Sequence, residues 1–184
     1  MALPQLNTLT LAEYMDWEAE QPERNMYYQG EVFAMVGARQ AHVLVSGNIY
    51  AALKAALRGG PCRAFVSDMK LRIDAADAVF YPDVMVSCDP RDRATPLWLS
   101  HPVLVVEVLS DSTAAFDRGA KFSACRGIDS LMEYALVDID ARRVEVYRRN
   151  AEGLWVLHDY AHGAAVEFAS VAVVMAADAV FEEV

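Results

Sequence analysis

Long apolar runs are missing from this chain. None approaches the ~18 residues that span a bilayer; Val103–Val106 and Val171–Ala177 are strand-sized. No contact with a membrane is expected. The N-terminus has no positive segment ahead of an apolar one, so no signal peptide is expected. Cysteine is scarce. Cys62, Cys88 and Cys125 are odd in number, far apart and without a C-x-x-C, which predicts neither a disulfide framework nor a zinc knuckle. A reducing cytoplasm is the expected location. Also missing are G-x-S-x-G and Walker A patterns, so neither a Ser/His/Asp elbow nor a nucleotide loop is expected.

Positive charge is short as well. Sixteen Lys and Arg face 26 Asp and Glu, for a net charge of -10. Residues 1–23 carry five acids and residues 150–184 carry six, and neither end has a base. Residues 24–149 hold all 16 bases against the remaining 15 acids. A nearly neutral middle between acidic ends does not draw a polyanion strongly, so any DNA binding is expected to be weak or local.

What is present is a folded chain. Of 184 residues, 55% are hydrophobic and 23% charged, far from a disordered composition. That length suits one domain, 1–184, burying about 70% of its unfolded surface. Thr10-x-x-Glu13 is a capping box that opens a helix over Leu11–Glu20, which Pro22 ends. Met26–Tyr28 and Glu31–Val36 around Gln29-Gly30 read as a hairpin. His42, Val45, Ile49, Leu53 and Leu57 recur at helical spacing up to Gly59-Gly60-Pro61. Strands are expected at Arg63–Val66, Asp68–Ile73 and Val79–Val86, and a surface loop at Asp89–His101. Val103–Leu109 reads as a strand covered on both faces. The stretch from Ser110 to Arg126 reads as a helix. Tyr134–Ile139, Val144–Arg148, Leu154–Tyr160 and Val166–Val174 form a meander. The sum is an α+β domain, a central mixed sheet with helices on its faces.

Acids inside apolar strands carry the chemistry. Glu107 lies within Val103–Leu109, where a carboxylate is costly unless paired or bound to a metal. Asp83 follows Tyr81-Pro82 and precedes Val84-Met85-Val86. Two such acids near strand ends could hold one divalent cation, with the Val108 carbonyl as a further oxygen donor; oxygen ligands suit Mg²⁺ or Mn²⁺. Asp117 and Lys121, four apart, share one face of the following helix, which can fold back over the strand end. Phosphodiester hydrolysis needs a metal to activate water and a cation near the charge that builds on phosphorus.

The series Pro82-Asp83, Glu107-Val108-Leu109-Ser110, Asp117-Arg118 and Lys121 resembles the PD-(D/E)XK nuclease superfamily. More narrowly, it resembles the bacterial "putative restriction endonuclease" or Uma-two family. The likeness extends to Leu9–Tyr14, Gly30–Met35, His42, Tyr81–Val86 and Glu133–Asp138. It implies a restriction-endonuclease-like core with a metal site at one end of the sheet. Asp83 and Glu107 would match the metal-binding acids. The superfamily often places Lys two residues after the second acid. Leu109 stands there, so the resemblance assigns that part to Lys121 on the next helix, with Lys70 in reserve. Relatives often carry an acid at Met26, Asp at Gln29 and Tyr at Cys125.

Each residue also has a plainer reading. Asp after Pro commonly makes a local turn bond. Glu107 could pair with a buried arginine. Lys121 could pair with Asp117 on a solvated helix face, worth only ~0.3–0.5 kcal/mol. His42 on an apolar stripe is more often a core residue than a base, although the resemblance sets it near the cleft. Glu31 could serve only its hairpin. Asp68, Lys70 and Arg72 alternate on one strand face, where mutual pairing explains them. Arg142, Arg143, Arg148 and Arg149 suit an exposed hairpin better than a phosphate grip. His158 and His162 are not expected to bind metal.

Two functions from different classes remain. One is a Mg²⁺- or Mn²⁺-dependent endonuclease acting on DNA, as a homodimer because duplex cleavage needs two sites. The other is a non-catalytic, dimeric or DNA-associated module on a degenerate nuclease fold. A small-molecule hydrolase on the same core also stays open.

Overall fold

The computed structural model describes residues 8–35 and 37–184. The capping box forms as expected: the Thr10 amide donates to Glu13 Oε2 at 2.8 Å, and the Glu13 amide donates to Thr10 Oγ1. It opens helix α1 (Leu11–Glu18). Strands β1 (Asn25–Tyr28) and β2 (Glu31–Ala34) make the hairpin, with Gln29 and Gly30 both at positive φ in the turn. Val36, expected at the end of the second arm, lies outside the described residues. Helix α2 (Gln40–Ala56) follows. Strands β3 (Arg63–Val66) and β4 (Lys70–Ile73) come next, separated by a turn at Ser67.

The expected single strand Val79–Val86 is two strands in two different sheets. Strand β5 (Ala78–Phe80) pairs with β1 and β4, whereas β6 (Val84–Ser87) pairs with β3 and with β8 (Pro102–Val108). Pro82 has no amide to continue a ladder, so the chain changes sheets at Tyr81-Pro82-Asp83. The segment read as loop holds a short 3-10 helix at Pro90–Arg93 and the two-residue strand β7 (Trp98–Leu99).

After β8 comes helix α3, residues 114–125. It is α-helical at Ala114–Phe116, π-helical at Asp117–Lys121 and α-helical again at Phe122–Cys125. Strands β9 (Glu133–Asp138), β10 (Arg143–Arg149) and β11 (Trp155–Tyr160) complete the main sheet. The expected last strand is instead a hairpin of its own, β12 (Val166–Phe168) and β13 (Val173–Met175), before the short helix α4 (Ala177–Val180).

The main sheet has the order β11-β10-β9-β8-β6-β3, with β8 and β9 parallel and the other pairs antiparallel. A second sheet has the order β2-β1-β5-β4-β7. Alternation along β8 decides what each face holds. Leu104, Val106 and Val108 pack with Val45, Ile49 and Leu53 of α2 and with the C-terminal hairpin. Val105 faces the other way, toward Phe80, Phe122, Cys125 and Tyr134. Glu107 is in phase with Val105, so it enters the layer between the main sheet and α3. No described helix is long and apolar enough to cross a membrane.

The cysteine expectation is corrected. Cys62 and Cys88 form a disulfide. They sit one step beyond the Arg63↔Ser87 pair of the β3–β6 ladder, so strand register brings together residues 26 apart in sequence. The cysteine argument for a reducing compartment is removed with it.

Candidate active site

The C-terminal end of β8, the start of β6 and α3 meet at a cleft of about 1550 Å³. Asp83, at the change of sheets, turns its carboxylate toward β8. Its Oδ2 accepts the Val108 amide at 2.8 Å and stands 3.3 Å from His42 Nε2. This is not the local turn bond that Asp after Pro suggests. The His42 imidazole is held above its ordinary pKa by its bond to Asp83. Burial opposes that shift, while the Asp83 charge and the Val108 carbonyl reinforce it. His42 therefore sits against both Asp83 and the Val108 carbonyl. Helical spacing on α2 puts it there, three residues before Val45 in the core.

Glu107 is buried, 3% exposed, and its partner is a lysine rather than the arginine considered from sequence. Lys121 Nζ stands 2.7 Å from Glu107 Oε1 and 3.4 Å from Asp117 Oδ1. Asp117 and Lys121 are themselves 4% and 6% exposed. The reading of these two as a solvated surface pair is thereby overturned. Glu107 Oε1 is buried, and the Lys121 ammonium is its partner. Burial pushes the Glu107 carboxyl well above its usual range; Asp117 and Asp83 push the same way, and Lys121 opposes them. Burial works against the Lys121 charge, but Glu107 and Asp117 outweigh it and raise its pKa.

Three carboxyl groups thus share one ammonium and one imidazole in a nearly closed layer. Such a cluster is short of positive charge, and a buried charge deficit is costly. Among the described residues no three His, Cys, Asp or Glu side chains form a ready metal trio. The donors at the cleft are two carboxylates, Asp83 and Glu107, with the Val108 carbonyl. An all-oxygen, partial set of this kind fits Mg²⁺ or Mn²⁺, which keep several waters of their own. The excess of acids over cations in this cluster is the observation that favours the fit.

The remaining candidates separate. Lys70 lines the cleft, half-buried over the Tyr81 ring at 5.3 Å from its centroid, and does not reach Glu107 within ion-pair distance. Asp68 also lines the cleft but is exposed and paired with Arg24. Arg72 pairs with Asp74 at 2.7 Å, so the expected mutual pairing of Asp68, Lys70 and Arg72 does not form. Glu31 stands on the exposed hairpin, outside the cleft lining. The four C-terminal arginines are engaged elsewhere: Arg143 with Asp159, Arg148 with Glu133 and Glu167, Arg142 over Phe181, and Arg149 over Trp155.

Sequence reasoning missed two features of the surroundings. The π-turn under Asp117 and Lys121 has no signal in its residues. The buried Glu18, which accepts from the Tyr81 hydroxyl at 2.8 Å and from the Asn25 amide, braces the segment just before Asp83. A charged residue at the end of the first apolar helical stripe was its only trace.

Comparison with known proteins bears on the family and the fold. The family model described as "Uma2: Putative restriction endonuclease" matches residues 11–174. An uncharacterized protein of Synechocystis, slr1290, is 35% identical over 173 residues, covering 94% of this chain and 91% of that one. A second, sll1609, is 34% identical over 171 residues, covering 91% and 97%. Among solved structures, a crystal structure of "a putative nuclease belonging to DUF820" from Anabaena variabilis superposes with a TM-score of 0.76 at 19% identity, covering 94% of this chain and 97% of that one. That likeness shows a shared fold, the restriction-endonuclease-like core.

Proposed function

This chain belongs to the Uma2 family of putative restriction endonucleases, and from that premise we propose that it is a Mg²⁺- or Mn²⁺-dependent endonuclease that hydrolyses DNA phosphodiesters. The observation that carries the reading is the buried set of Glu107, Asp117 and Lys121 beside Asp83, short of positive charge and open to one cleft. Asp83, Glu107 and the Val108 carbonyl would hold the cation. When bound, the ion supplies Lewis acidity, making water acidic enough to attack at neutral pH and drawing charge from the phosphoryl oxygens.

The chain's own residues supply the rest. The Val108 amide and His42 fix the Asp83 carboxylate in one orientation. Asp117 also holds the Lys121 ammonium, at 3.4 Å, so the ammonium stays in place when Glu107 turns to a ligand's role. Lys121 then donates to the attacking water and to a non-bridging phosphoryl oxygen, where negative charge builds. The attacking water gives up a proton to bulk solvent as its oxygen forms the new bond to phosphorus, the bond to the leaving sugar oxygen breaks, and solvent protonates that oxygen.

The test is cleavage of plasmid DNA with Mg²⁺ or Mn²⁺ by the wild type, Asp83→Ala and Glu107→Ala. Loss of cleavage in both variants is expected; cleavage that survives both refutes the assignment. Duplex cleavage needs two such sites, so a homodimer belongs to the same proposal; light scattering checks the dimer.

One observation favours the non-catalytic alternative. The cleft lining counts nine acids against five Lys and Arg, which opposes a polyanion. A module without chemistry would show no rise in melting temperature with Mn²⁺, whereas a site that binds the ion is stabilised by mass action.

A further inference from the structure

Behind the site lysine stands a buried tyrosine that the proposed chemistry does not use. Tyr134 lies on β9, opposite Val105 of β8, and is fully buried. Its hydroxyl donates to the backbone carbonyl of Asp117 at 2.9 Å. Its ring stacks on Phe122 with centroids 4.7 Å apart. These two contacts fall on the first residue of the π-turn and on the residue just after its last. Burial is the largest of the influences that raise the Tyr134 pKa, so the hydroxyl keeps the proton it donates.

A π-turn closes its ring five residues on rather than four, and is rare next to the α-helix that flanks it here. Nothing inside Asp117–Lys121 requires the wide turn: it has no proline, and its one glycine, Gly119, has open space around it. The constraint must come from outside. We infer that Tyr134 is a positioning residue: its bond to the Asp117 carbonyl and its stack on Phe122 hold the wide turn, and the wide turn sets Lys121 against Glu107. One residue of helical register is a rotation of about 100°. Relaxation to a regular α-turn would therefore carry the ammonium off Glu107 and out of the acidic cluster. The effect on catalysis rests on the nuclease reading; the placement of Lys121 does not.

The test uses a feature of the composition. The chain has only three lysines, Lys54, Lys70 and Lys121, so acetylation by acetic anhydride can be read at each by peptide mass spectrometry. In the wild type Lys121 should be protected, with Lys54 and Lys70 as internal references. Tyr134→Phe keeps the ring and removes the hydroxyl; Lys121 acetylation should rise about tenfold or more as the turn opens locally, with the two references unchanged. Tyr27→Phe is the control for general destabilisation, because it removes a buried hydroxyl bonded to the Leu9 carbonyl and Asp77 in a separate cluster. It should leave Lys121 protected.

If Tyr134→Phe does not fold, deletion of Gly119 takes its place. The deletion removes the extra residue of the turn without touching Tyr134, and should expose Lys121 equally. Protection that persists in the folded variant overturns the inference, as does equal exposure of Lys121 in Tyr27→Phe. In plasmid cleavage, Tyr134→Phe should lower kcat with KM unchanged. A wild type that cuts nothing would remove the nuclease reading and leave the acetylation result standing.

Discussion

Glu107 makes the site unstable by the same features that suit it to chemistry. Its pKa and that of His42 are both raised in the folded chain. A group with a raised folded pKa stabilises most below its unfolded value and loses that contribution as pH climbs through the folded one. The metal-free chain should therefore melt at lower temperature as pH rises from about 5 to 8, which calorimetry can follow. The exposed acids with lowered pKa, Asp159 and Glu13, titrate below that window. Glu107→Gln should flatten the fall, and His42→Gln should flatten its upper part. Lys121→Met should cost about 3–5 kcal/mol, because it strands a buried carboxylate, and should slow cleavage by ~100-fold or more. Adding Glu107→Gln to Lys121→Met should recover most of the stability and none of the activity, read by denaturant melts beside plasmid cleavage. These acids were legible in the sequence, since a charge inside an aliphatic strand needs a partner. Lys121 was legible only through its spacing from Asp117 and the family likeness. The bond from the Val108 amide to Asp83 was not legible, because it depends on two strands meeting.

Elements set the limits of what could be read. The capping box, the first hairpin and the long second helix follow from local sequence and stand within a few residues of expectation. The apolar run through Val79–Val86 hid a change of sheets, because burial on both sides gives the same pattern in either sheet and only Pro82 marks the break. The C-terminal hairpin was hidden in the same way by an even spread of valine and alanine. Its anchor is a buried acid. Glu133, fully buried on β9, accepts from Arg148 at 2.7 Å and from the amides of Ala169 and Ser170, between β12 and β13. Arg148→Ala should leave that carboxylate without its cation and cost about 3 kcal/mol or more, while Mn²⁺ binding at the far end of β8 persists. A melt with and without the ion separates the two effects.

Across the whole molecule, charge decides how a substrate could be held. The net charge is -10, and Arg24, Arg39 and Arg118 around the cleft are each paired with an acid. Few cations are left for phosphates. DNA affinity should therefore fall only gently with salt, with a log–log slope no steeper than about -3, for roughly three phosphate contacts. Fluorescence anisotropy at several salt concentrations would measure it. A divalent ion at the acidic cluster would offset local repulsion and tie binding to the metal.

The account stands most directly on where that ion goes. Crystals soaked in Mn²⁺ and measured for anomalous scattering should give a peak in contact with the Asp83 and Glu107 carboxylates and the Val108 carbonyl, with Glu107 turned from Lys121 and Lys121 still held by Asp117. A map with no peak there, and Lys121 still closed on Glu107, would contradict it.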